Sequence, residues 1–183
     1  MKTSKESEEM MKIIMIFDQI QSGLGTKDDI MLPLGGKRES IGPAVMMAPF
    51  FKEIDAKVVA CLYCGNGTYK ADPDEVSRKL CAMVNKLQAD VVICGPAFNF
   101  IDYAQMCARV ARDVNQTTHS RAFAAMSKEN EETLAEYKGQ VSIVETPKKG
   151  GVGLTGALRN ICSMAEALHE GKETTELGKK ICF

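Results

Sequence analysis

The stretch Val91-Val92-Ile93-Cys94-Gly95-Pro96-Ala97-Phe98-Asn99 is a continuous apolar run that halts in a thiol, a glycine, a proline and an amide. Unbroken hydrophobicity suits a strand covered on both faces, as in a parallel sheet flanked by helices. In open α/β sheets ligands sit beyond the carboxyl ends of the strands, so the abrupt ending marks where a site is expected.

Four further apolar runs stand around it. Ile13 to Phe17 predicts a strand that ends at Asp18, Lys57 to Leu62 a second, Arg121 to Met126 a fourth and Val141 to Glu145 a fifth. Helical patterns alternate with them, which is the signature of parallel strands joined by crossover helices. Pro43 through Ile54 predicts one helix, with proline suited to the first turn. Asp72-Pro73-Asp74-Glu75 supplies an N-cap, a proline and a capping-box acid for the next, along which Val76, Leu80, Met83, Val84 and Leu87 recur at helical spacing. Tyr103, Met106, Cys107, Val110, Ala111 and Val114 form a similar stripe, Asn130 to Tyr137 a short helix, and Leu154 to Leu168 a closing one. The expected fold is α/β: a flavodoxin-like, doubly wound, mainly parallel sheet of about five strands with helices on both faces.

The 183 residues, 45% of them hydrophobic, suffice for one core, expected over residues 12–170 between a flexible tail at 1–11 and a loose tail at 171–183. With Lys+Arg 23 against Asp+Glu 24 there is no basic field for nucleic acid. The opening residues lack the apolar core of a signal peptide, and no run approaches the roughly 18 residues of a membrane span, so a cytoplasmic protein is expected. Seven cysteines, odd in number and irregular in spacing, point to reduced thiols.

Three loops are expected to converge at the carboxyl edge: Asp18 to Gly25, Cys64 to Thr68 and Gly95 to Asn99. Gly23, Gly25 and Gly95 allow close backbone approach, Pro96 and Phe98 shape the pocket, and Asn66 and Asn99 bring donors and acceptors for a carboxylate or amine. Cys64 and Cys94 are the candidate nucleophiles, on the condition that nearby amides lower their pKa. Cys61-Leu62-Tyr63-Cys64 has C-x-x-C spacing, yet Cys61 falls within a strand, which disfavours a redox pair, and half a tetrahedral set gives no metal site. Gly151-Val152-Gly153-Leu154-Thr155-Gly156 reads G-x-G-x-x-G, but no later strand carries the acid that a dinucleotide requires; a phosphate or carboxylate at that helix start stays open. His119 and His169 are isolated in sequence and offer no hydrolytic triad.

The same residues carry a resemblance. Gly95-Pro96-Ala97-Phe98-Asn99 with Tyr103 and Cys107, together with Gln19, Gly23-Leu24-Gly25, Ile41-Gly42-Pro43, Cys64-Gly65, Glu129-Asn130 and Val144-Glu145-Thr146, resembles the N-terminal half of the glycine/sarcosine/betaine reductase selenoprotein B family. The likeness runs in order from about Lys12 to Gly171 and departs at Phe100-Ile101-Asp102 and Glu131-Glu132. It implies reductive cleavage of the C–N bond of a small amino acid or methylated amine, with other reductase subunits as partners. By the same resemblance the selenocysteine and the pyruvoyl group reside on partner chains, and this chain holds no cofactor of its own. A non-catalytic ligand-binding or assembly module is the alternative, and self-association is left open.

Overall fold

A computed structural model describes residues 9–183. The expected flexible tail lies mostly outside the described residues, and its last residue, Met11, already begins the first strand. In chain order the elements are β1 Met11–Phe17, β2 Gly35–Lys37, α1 Pro43–Glu53, β3 Ala56–Tyr63, α2 Asn66–Ala71, α3 Pro73–Leu87 and β4 Val91–Cys94. There follow α4 Ile101–Thr117, β5 Arg121–Met126, α5 Glu131–Tyr137, β6 Ile143–Glu145, α6 Leu154–His169 and α7 Thr175–Ile181.

The six strands form one sheet in the order β2-β3-β1-β4-β5-β6. The five expected strands are all present and mutually parallel, while β2 runs antiparallel to β3. From β1 the chain builds outward to β3, then returns past β1 to lay down β4, β5 and β6. That reversal puts the topological switch point between β1 and β4, the place beyond the carboxyl ends where open α/β sheets bind their ligands.

Burial explains why β1 is central. Ile13, Ile14, Met15, Ile16 and Phe17 have no exposed surface at all. Adjacent residues of a strand point to opposite faces, so both faces are covered. Helices α1 and α6 pack against each other, as do α3 and α4. Full burial of one such side chain contributes about 1.5–3 kcal/mol. Between Ile13 and Ile14 the β1–β3 register slips by one residue, leaving Val59 as the extra one on β3.

The Asp72 side chain caps α3 by accepting from the Glu75 N–H at 3.2 Å, as the capping-box reading expected. Three elements were not legible. Strand β2 contains two glycines, and a Cβ on Gly35 would lie 2.6 Å from the Tyr63 hydroxyl, so glycine is what lets this strand lie beside β3. Helix α2 takes up most of the expected Cys64 to Thr68 loop. The C-terminal stretch, expected to be loose, carries α7; Cys182 bridges Val144, and the Phe183 N–H donates to the Ile143 carbonyl at 3.1 Å. These last residues occupy the otherwise free edge of β6, which would invite pairing with another chain.

One buried bond ties helix to sheet beneath the crevice: the Tyr103 hydroxyl of α4 donates to the Ile16 carbonyl at 2.6 Å. Tyr103→Phe is expected to lower stability by about 1–2 kcal/mol in urea unfolding, with the denaturant slope unchanged.

Candidate functional site at the carboxyl edge

Ile16 pairs with Cys94, so Asp18 and Pro96 leave the sheet side by side at the switch point. Asp18 is completely buried. The Gln21 N–H donates to its Oδ1 at 2.7 Å, and the Asn66 Nδ2 donates to its Oδ2 at 3.3 Å. Desolvation outweighs these bonds and raises the Asp18 pKa above its ordinary value. Asn66 is fixed from a second side, since its N–H donates to Gln19 Oε1 at 3.0 Å. Its own Oδ1 is buried and has no hydrogen-bond partner. An amide oxygen without a donor beside an acid that tends to keep its proton is unusual, because buried polar atoms are nearly always satisfied.

The first two loops therefore meet through Asp18, Gln19 and Asn66. Gly25 closes the first loop by donating from its N–H to the Gln19 carbonyl at 3.0 Å, and Gly23 adopts φ +74° in open space. Both glycines shape the loop. The short α2 does not offer its first amides to a ligand, because the Gly67 and Thr68 N–H groups donate to the Ile30 carbonyl at 2.7 and 3.1 Å.

The third loop is held from the other side. Gly95 has φ +128°, and a Cβ there would lie 2.7 Å from the Ala125 carbonyl oxygen, so only glycine fits. The Gly95-Pro96 bond is cis. The Ala97 N–H donates to the Ala125 carbonyl at 2.8 Å, and the Ser127 N–H to the Phe98 carbonyl at 2.9 Å. Buried Asn130 adds its Nδ2, donating to the same Phe98 carbonyl at 2.6 Å. Asn99 does not reach Asn66; its Oδ1 accepts from the Lys149 N–H at 2.9 Å, and the Lys149 ammonium stands 5.5 Å from the Phe100 ring centre.

The two candidate thiols are in the expected places but in an unhelpful environment. Cys64 and Cys94 are fully buried. Burial pushes the Cys64 thiol up to about 11 and that of Cys94 higher still. No basic group lowers either value, and the Cys64 Sγ lies 3.5 Å from the Gly65 carbonyl. A thiolate is the reactive form, so neither position holds an activated nucleophile in this state.

Farther along the same edge, a cavity of about 420 Å³ lies over the ends of β5 and β6 and the start of α6, lined among others by Lys128, Glu129, Thr146, Lys148, Gly153 and Asn160. The G-x-G-x-x-G stretch does open α6, with Gly153 at the N-cap and no side-chain cap. The histidines that are distant in sequence stand together at the opposite, amino edge, on a cavity of about 610 Å³ shared with Asp90 and Ser120. No triad results: the Ser120 hydroxyl donates to the Ala89 carbonyl at 2.6 Å, and Asp90 Oδ2 accepts from the Lys12 N–H at 2.8 Å. Among the described residues no group of three or more His, Cys, Asp or Glu is placed to hold a metal ion, and no helix is long and apolar enough to cross a membrane.

Sequence reading named Asn66 but passed over Asp18, Gln19, Asn130 and Lys149 as site residues. Asp18 carried a signal of its own, being an acid placed directly after a run of buried apolar residues. The others depend on contacts across 32 to 50 residues of chain.

Geometry thus defines an α/β protein with a buried polar cluster at its switch point. The family described as glycine/sarcosine/betaine reductase selenoprotein B matches residues 10–180, and the chain belongs to it. Sarcosine reductase complex component B subunit beta of Peptoclostridium acidaminophilum is 25% identical over 136 residues, covering 74% of this chain and 31% of that protein. Glycine reductase complex component B subunit gamma of Carboxydothermus hydrogenoformans is 27% identical over 133 residues, covering 73% and 30%. The corresponding gamma subunit of Symbiobacterium thermophilum is 22% identical over 163 residues, covering 89% and 37%. The chain spans about a third of the length of these curated relatives. No solved structure matches it.

Because the folded-state pKa of Asp18 lies above the unfolded value near 3.8, its contribution to stability is full below that value and is lost as pH rises through the folded pKa. Asp18→Asn removes this loss, and the orphaned Asn66 oxygen can turn to accept from the new amide. Wild-type stability minus that of Asp18→Asn is expected to fall as pH rises above about 4 in urea titrations; a difference that grows with pH would show that the carboxylate is held as an anion. For the thiols, iodoacetamide at neutral pH is expected to label Cys64 and Cys94 far more slowly than a free cysteine, and fast labelling of either would restore it as a nucleophile.

Proposed function

We propose that the chain is the substrate-side component of a glycine/sarcosine/betaine-type reductase. In this reading it is a flavodoxin-like domain whose carboxyl edge holds a small amino acid or methylated amine, while reductive C–N cleavage depends on thiol and selenol groups of other chains. Membership of the family supports the reaction class. The fold supports the place of binding: numbered among themselves, the parallel strands run 2-1-3-4-5, the flavodoxin-type order with its ligand crevice at the switch point.

The observation that carries the reading is the Asp18–Asn66 pair, a buried acid beside an amide oxygen that lacks a donor. An ammonium group offers the N–H donors this pair can accept, and its charge would draw the Asp18 proton away. Asn99 has its oxygen engaged by Lys149 and keeps its Nδ2 to donate to a substrate carboxylate. With Cys64 and Cys94 buried as thiols, the domain orients and shields the substrate. Selenocysteine and the pyruvoyl group belong, in this proposal, to partner chains.

Isothermal titration with glycine, sarcosine and betaine tests it. Asn66→Ala and Asn99→Ala are each expected to weaken glycine binding by about tenfold, the effect of losing one hydrogen bond to a charged group. Betaine bears no N–H, so Asn66→Ala is expected to affect glycine more than betaine. Equal heats for wild type and both variants would refute the assignment.

A further inference from the structure

Exposed large apolar side chains are distributed unevenly over this molecule. They are Met10, Leu24, Ile30, Met31, Val45, Met46, Ile101 and Val152, and only Met10 stands at the amino edge. Leu24, Ile30 and Met31 belong to the segment between β1 and β2. Val45 and Met46 fall in the first turn of α1, Ile101 opens α4, and Val152 precedes α6. Helices α4 and α6 follow parallel strands and so begin at the carboxyl edge, and α1 runs back from that edge to the start of β3, so all but Met10 stand at the carboxyl edge. Met31 is 60% exposed, Val45 59% and Ile101 51%.

The segment that carries Ile30 and Met31 is not a stray loop. Its backbone is bonded to the start of α2, with the Gly65 N–H donating to the Leu32 carbonyl at 2.9 Å and the Thr68 hydroxyl to the same oxygen at 3.0 Å. Exposed apolar side chains gathered on one edge, part of them on a rigidly held segment, mark an interface.

We infer that this edge docks the part of the component B relatives that this sequence does not span. The relatives' length argues for that occupant: the chain accounts for 30 to 37% of each of the three, and the edge left apolar here is the edge where the proposed substrate would meet its reaction partner. Charge agrees in sense, since Lys128, Lys148 and Lys180 face the cavity at this edge against Glu129 and Glu145, which favours a partner surface with carboxylates. The inference rests on the proposed function, because it takes the domain to need chemistry from outside.

The test uses the full chain, tagged and produced in its native cells, treated with a lysine-reactive cross-linker and analysed by peptide mass spectrometry. Links are expected from Lys27 and Lys148, at the carboxyl edge, to sequence that aligns with the part of the relatives not spanned here. The double variant Met31→Glu/Val45→Glu is expected to cut those links by about tenfold, while Met10→Glu leaves them intact. An acid in the first turn of α1 suits the helix dipole, and Ile101→Glu supplies an independent variant should the double one unfold. Links only to a second copy of this chain, links confined to the amino edge, or no links above background would each overturn the inference. If docking holds while the titration with glycine fails, the substrate assignment falls and the interface stands; the converse separates them the other way.

Discussion

Burial of β1 on both faces is the constraint from which the rest follows. A strand packed between two helical layers can carry polar side chains only at its ends, so the first polar group after Phe17 enters where the sheet stops. That group is Asp18, still wholly buried, and it must find donors within the protein. Gln21 and Asn66 supply them, which pins the loop after β1 to the loop after β3. The junction of these two loops is thus a consequence of satisfying one carboxyl group at the end of the most buried strand.

A second anchor works from the opposite flank. Gly95 comes so close to the Ala125 carbonyl that a side chain is excluded, and the Phe98 carbonyl collects both the Ser127 amide and the Asn130 carboxamide. These bonds draw the β4 loop toward β5, away from Asn66. The separation of Asn66 from Asn99 is therefore built in: one amide serves the β1 side, the other the β6 side through Lys149.

What was legible in the sequence follows the same physics. Strands β1, β3, β4, β5 and β6 announce themselves because burial on both faces demands continuous apolar runs, and α3 because its cap is written in adjacent residues. Strand β2 stayed hidden, since Gly35 and Gly36 are there to admit Tyr63 and Leu62 rather than to favour a strand. Helix α7 is charged and has no buried residue, so no apolar stripe betrays it; its place is set by the pairing of Cys182 and Phe183 with β6. At the site, the glycines and asparagines of the loops could be read, whereas their partners could not. Asn130 next to a charged run looks like an ordinary helix start until Phe98 is brought to it across 32 residues.

The cysteines show how position and environment separate. Sequence places Cys64 and Cys94 correctly at strand ends, the location a nucleophile would need. Yet the packing that makes those ends rigid removes water from the sulfurs, and desolvation disfavours the thiolate. Reactivity there would require the crevice to open or a cation to enter. An acid whose pKa is raised by burial, beside thiols that burial keeps from ionising, fits the proposed role of holding a charged molecule rather than attacking it. In the proposed function bond-breaking groups come to this edge from outside, and it is the edge where the apolar side chains have been left uncovered.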